Sequence, residues 1–150
     1  MRTVVTFCSA AFNPTQPRPY FINPGCFGDD RARWLIGELR HQGLETDEKP
    51  DQEDFGWYFN LENAGVGSTL VIGFRPPPLD ESADGTGIGW IERSRGFLAS
   101  LLGGRDRDVD PSLVELVPTI LSTSPEIQDV RWHLRKDFDE RNWGIGSPTP

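Results

Sequence analysis

The stretch DFGWYFNLENAGVGSTLVIGFR, residues 54–75, alternates large apolar residues with small or polar ones on both sides of a glycine-bearing loop. Strand side chains point to opposite faces in turn. That period puts Phe55, Trp57, Phe59 and Leu61 on one face of a strand over Phe55–Leu61, and Leu70, Ile72 and Phe74 on one face of a second over Thr69–Phe74. Gly65 and Gly67 supply the turn, so the segment is predicted as an antiparallel hairpin. Pro76, Pro77 and Pro78 end it, and GIGWIE at residues 87–92 supplies the next strand. Its bulky Ile88 and Trp90 are assigned to the same face, the expected core side of a sheet.

An apolar–Gly–aromatic triplet recurs in these segments: Phe55-Gly56-Trp57, Ile72-Gly73-Phe74 and Ile88-Gly89-Trp90. Glycine is a poor strand former and often marks a bulge or a close approach of another backbone. By residue parity Gly56, Gly73 and Gly89 fall on the face away from the core, rimmed by Tyr58, Asn60, Arg75 and Arg93. Aligned, they make a low-relief stripe. Residues 1–28 or the C-terminal tail lie across it, or the glycines serve bulges, or a partner approaches it.

Around this sheet, Val4, Val5 and Phe7 read as a strand, followed by an extended segment punctuated by Pro14, Pro17, Pro19 and Pro24. Gly28 and Asp29 open a helix, with Asp29 as its cap, Ala32, Leu35, Ile36 and Leu39 on one face and Gly43 as its left-handed stop. A short helix is predicted over 94–102. Asp110-Pro111 starts another, whose buried face carries Leu113, Leu116, Val117, Ile120 and Leu121 and which Pro118 should kink or shorten. Val130, Trp132 and Leu134 alternate with Arg131, His133 and Arg135 as a last strand. The predicted fold class is α+β: one domain over 1–143, a mostly antiparallel sheet of four to five strands with two to three helices packed on one face, then a flexible tail over 144–150.

A chain of 150 residues with five Trp and nine Phe can bury a substantial core. Cys8 and Cys26 make neither a disulfide framework nor a paired zinc motif, which points to reduced thiols and a cytoplasmic setting. No stretch approaches the ~20 apolar residues of a membrane helix, so no membrane association is expected. The net charge is −8. Seven acids (Glu45, Asp47, Glu48, Asp51, Glu53, Asp54, Glu62) face only Lys49 between residues 45 and 62, a balance that argues against nucleic acid.

Motifs for catalysis are sparse. Asp54-Phe55-Gly56 spells the metal-binding triplet of protein kinases, but no glycine-rich loop, β3-type lysine or catalytic-loop motif accompanies it. Gly85, Gly87 and Gly89 lead into a strand rather than a helix N-terminus, so they make no phosphate loop. His41 suits a helix C-terminus and His133 the polar side of the last strand. Groups such as Asp29/Asp30, Glu53/Asp54 and Asp137/Asp139/Glu140 could converge on a divalent cation, although nothing in their spacing requires it. No cofactor and no metal are expected. The expected function is a small non-catalytic binding protein of inhibitor, adaptor or immunity type. It would engage a protein partner, possibly a basic one, through the acidic loop (Glu48, Asp51, Glu53, Asp54) and the glycine-floored face (Gly56, Tyr58, Asn60, Gly73, Arg75, Gly89, Arg93). The alternative is a carboxylate- or metal-dependent enzyme using Asp29, Asp54 and Glu92.

Overall fold

The first strand, β1 (Val4–Cys8), lies in the interior of the sheet. It is held on both sides, pairing antiparallel with β6 (Thr86–Arg93) through Val5↔Gly89 and Phe7↔Gly87, and with β7 (Gln128–His133) through Val5↔Trp132. The structure is a computed structural model and describes residues 1–13, 15–75, 86–94, 109–142 and 145–150, with the backbone alone of Arg75. The hairpin forms as the alternation requires, as β4 (Gly56–Asn63) and β5 (Val66–Arg75), with Trp57↔Ile72 and Phe59↔Leu70 directly opposite. Strand β5 then pairs with β6, so that the sheet runs β4-β5-β6-β1-β7 through its middle, every ladder antiparallel.

Among the described residues the sheet has seven strands rather than the four to five expected. The additional ones are β2 (Glu45–Thr46) and β3 (Asp51–Glu53), two short pieces of the acidic segment that both pair with the outer side of β4. Such pieces are too short to show alternation, and their charges suit an edge, where they discourage pairing with another chain.

Helix α1 (Asp29–His41) buries Ala32, Leu35, Ile36 and Leu39 on the sheet. Its N-cap is Gly28, not Asp29; the Asp29 carboxylate instead accepts from the Tyr20 hydroxyl at 2.5 Å and lies 3.9 Å from Arg33. Helix α2 (Pro111–Thr123) is capped by Asp110, whose side chain accepts from the Ser112 amide at 2.9 Å, and it continues past Pro118 to Thr123. Its Leu113, Val117, Ile120 and Leu121 join the α1 residues, Phe7, Trp57, Phe59, Leu70, Ile91 and Trp132 in one core. A third helix, α3 (Arg135–Asp139), lies on the reverse of the sheet, where Phe138 approaches His133. The helix expected at 94–102 falls outside the described residues except for Ser94.

The register corrects the expected parity of β6. Gly89 stands opposite both Ile72 and Val5, and a Cβ there would come within 3.0 Å of Ile72 Cδ1 and 3.3 Å of Val5 Cγ1, so Gly89 faces the helices. A Cβ on Gly87 would meet the Phe7 ring at 2.7 Å. Ile88 and Trp90 therefore lie on the reverse, and the three glycines form no common stripe. Trp57, Phe59, Leu61, Leu70 and Ile72 are buried as expected, whereas Phe55, expected beside them, is 52% exposed in the turn before β4. The tail expected to fray returns to the sheet edge, where Ser147 and Trp132 exchange both backbone hydrogen bonds at 2.7 and 2.9 Å.

The glycines of the hairpin differ in a measurable way. Gly56 has φ +153, and a Cβ there would lie 2.7 Å from the Ile72 carbonyl oxygen, a backbone atom that cannot move aside. At Gly73 the nearest atom is the Phe55 carbonyl oxygen at 3.5 Å, an ordinary contact. Gly56→Ala should therefore destabilise by about 1–3 kcal/mol, while Gly73→Ala should be neutral or stabilise by up to about 1 kcal/mol. Denaturant midpoints of the two variants check this, and equal losses would contradict the geometry.

Candidate functional site

The ladder between β4 and β5 ends at Trp57↔Ile72, where the positive φ of Gly56 turns the incoming chain away. Beyond that point, among the described residues, β5 pairs with β6 on one side only. The space on its other side is walled by the segment Asn23–Phe27, which is fixed from below. The Gln52 side chain on β3 accepts from the amides of Ile22 at 2.5 Å and Asn23 at 3.2 Å and donates to the Asn23 carbonyl at 3.0 Å. Trp57 Nε1 donates to the Cys26 carbonyl at 2.8 Å, and Phe21 packs on Trp57 with ring centres 5.0 Å apart. A proline-rich segment with little regular hydrogen bonding of its own is thus pinned by one amide and one indole.

What remains open among the described residues is a hollow of about 260 Å³ floored by the buried Gly73 and lined by Cys26, Phe27, Phe55, Phe74, Ile88, Trp90 and Phe138, with the exposed Asn23, Gly25 and Asp54 completing its wall. Phe55 and Trp90 have ring centres 6.1 Å apart, as do Phe27 and Phe74. Trp90 is oriented by its Nε1 donating to Glu92 Oε1 at 2.9 Å and by the Arg135 guanidinium 5.3 Å from its ring centre. Arg135 is itself matched by Glu92 at 3.7 Å and Asp139 at 3.6 Å. Burial in the first place, and the charge of Asp54 after it, push the Cys26 thiol up, with partial relief from a hydrogen bond with Gln52. The thiol is therefore neutral at neutral pH and contributes an apolar surface.

Beside the hollow runs an acidic edge. Asp51 stands opposite Tyr58 and Glu53 opposite Gly56, so β3 sets both carboxylates against the reverse face of β4. Burial, then Asp51, Glu53 and Asp47, raise the Tyr58 hydroxyl. Asn60 is exposed, with its amide donating to Asp47 Oδ2 at 2.8 Å and its side-chain oxygen accepting from Thr69 at 2.9 Å. Glu48 is exposed in the turn between β2 and β3.

Of the residues singled out in the sequence, Asp51, Glu53, Tyr58 and Asn60 share the acidic edge, and Asp54 and Gly73 meet at the hollow. Gly89 faces the helices instead, and Arg93, opposite Ser68, lies at the far end of β6. Arg75 pairs with Thr86 at the end of β5. Asp29, Asp54 and Glu92 are not brought together: Tyr20 and Arg33 engage Asp29, Trp90 and Arg135 engage Glu92, and Asp54 alone reaches the hollow. Among the described residues there is no cluster of three His, Cys, Asp or Glu side chains able to hold a metal ion. The ring lining from Phe27, Phe55, Trp90 and Phe138 was missed, because strand parity speaks to none of the irregular segments and misplaced Phe55 and Trp90.

No protein-family model matches the chain, and no curated protein or solved structure is significantly similar to it.

Beside Phe138, His133 is fully buried on the reverse face, hydrogen-bonded to Thr6 Oγ1 at 2.9 Å through Nε2, while Nδ1 has no partner among the described residues. Burial, then Arg131 and Arg2, lower its pKa, and Asp137 opposes them only in part. The unfolded chain therefore binds a proton more readily than the folded one. Stability is full above the ordinary value of 6.5 and is lost as the pH falls below it, until the lowered folded-state value is reached. The melting temperature should drop between about pH 7.5 and pH 5, and the drop should shrink in His133→Gln, which keeps a neutral partner for Thr6. Thermal melts across that range check it.

Proposed function

We propose that this chain is a small non-catalytic binding protein, of inhibitor, adaptor or immunity type, that engages a basic protein partner through the acidic edge and the hollow beside it. The observation that carries this reading is the placement of Asp47, Asp51 and Glu53 around Tyr58, directly next to a concavity with an exposed Phe55 at its rim. Aromatic anchors beside a charged rim are a common arrangement in protein interfaces, the rings supplying affinity and the charges steering encounter. Among the described residues no helix is long and apolar enough to cross a membrane, which fits a partner met in water.

The edge also says how a partner would be held. Charged edge strands resist addition of a further strand, so contact through side chains is favoured over extension of the sheet. Asp51 and Glu53 are exposed, and reversing them should change stability by no more than about 0.5 kcal/mol. Affinity purification of partners from the native host with wild-type protein and with Asp51→Lys/Glu53→Lys tests the reading. Capture should weaken in the variant, and in the wild type it should weaken as salt rises from about 0.1 to about 1 M, over which screening shortens from roughly 10 to roughly 3 Å. Capture indifferent to both changes would count against it.

A further inference from the structure

The hollow is unusual in composition. Five aromatic residues, Phe27, Phe55, Phe74, Trp90 and Phe138, line a space of about 260 Å³, and Asp54 is its only charged lining residue among those described. Aromatic faces carry negative charge density, so rings grouped around a space with one carboxylate attract an organic cation more strongly than its neutral isostere. The protein uses this chemistry internally. Arg135 lies 5.3 Å from the centre of Trp90, Arg31 lies 5.1 and 5.0 Å from Phe12 and Phe74, and Arg33 lies 5.7 Å from Tyr20. Among the described residues, guanidiniums already lie over two of these rings. Arg135, over Trp90, is matched by Glu92 and Asp139, and Arg31, over Phe74, is buried on the helix side, where burial lowers its pKa and Asp30 opposes that in part.

We propose that the hollow is a cation-binding pocket that receives the side chain of a lysine, free or methylated, presented by the basic partner. This rests on the binding reading above and adds its anchoring contact: the ammonium is stabilised by Asp54 in the wall, while its methylene or methyl groups pack on Phe55 and Trp90 over the bare floor of Gly73. A side chain at residue 73 would occupy that floor, which gives the glycine a use that a strand residue does not otherwise require.

The test uses the full chain and three small probes: N-acetyl-lysine methylamide, its trimethyl-lysine counterpart and the neutral N-acetyl-norleucine methylamide. Binding is followed by the Trp90 indole and Gly73 amide signals in NMR titrations. The lysine and trimethyl-lysine probes should both shift these signals, and norleucine should bind roughly threefold to thirtyfold more weakly, the range expected of a cation set over aromatic faces. Asp54→Asn should weaken the charged probes and leave norleucine unchanged. Phe55→Ala, at an exposed position, should keep the fold and weaken all three. A response confined to trimethyl-lysine would support the pocket and assign it to methylated lysine. Norleucine binding as tightly as lysine, or no shift at Trp90 and Gly73 with any probe, would overturn the proposal. The acidic-edge test relies on Asp51 and Glu53, neither of which lines the hollow. Weakened capture in that variant together with silent probes would sink the pocket and spare the broader reading. The reverse pattern would do the opposite.

Discussion

Gly89 sits where the two neighbouring strands leave little room for a side chain on the helix side, with Ile72 and Val5 closing on it from either hand. That contact fixes the parity of β6. Because alternate residues must take opposite faces, Trp90 is sent to the reverse, and with it come the Trp90–Glu92 hydrogen bond, the Arg135 contact and the seat of α3. Gly87 repeats the constraint one pleat away, where the Phe7 ring covers it. The core thus takes its bulk from β1 and β5 at these levels and leaves β6 bare. A side chain at residue 87 or 89 would compete with Phe7, Val5 or Ile72 for the same volume, and close-packed interiors absorb such additions poorly.

The hairpin and its inward residues were legible because the alternation in β4 and β5 is long and the two faces differ sharply in size. The same rule failed in β6. It assigns the larger set of residues to the core, and in Ile88-Gly89-Trp90 the larger set lies outside because neighbouring strands already fill the inside. Only pairing partners distant in sequence could have revealed this: β1 lies more than 70 residues from β6 in the chain, and no local pattern reports that it slots between β6 and β7. Strands β2 and β3 were hidden for a different reason, since two or three charged residues carry no period. The acidic edge was therefore visible as composition but not as a strand. The hollow was hardly visible at all, its walls coming from a proline-rich segment, a turn and a five-residue helix.

Among the described residues the two faces of the sheet are covered unequally, and this accounts for an open site without appeal to any strained element. On one face α1 and α2 each run 13 residues and close a continuous core. On the other, α3 spans five residues and Ser147 reaches only the β7 edge. Phe138 carries that thin cover to the hollow, which it helps to line. Val71 is nonetheless buried, because its register partners are Tyr58 on one side and Trp90 on the other, and those rings shield it. The reverse face thus protects its own aliphatic residue with rings whose outer surfaces remain half-exposed. Rings placed for that purpose are already in position to meet a partner, and the carboxylates of β3 stand opposite β4 in the same ladder. Shielding of the sheet and presentation of an aromatic, acid-rimmed surface follow here from one arrangement of strands.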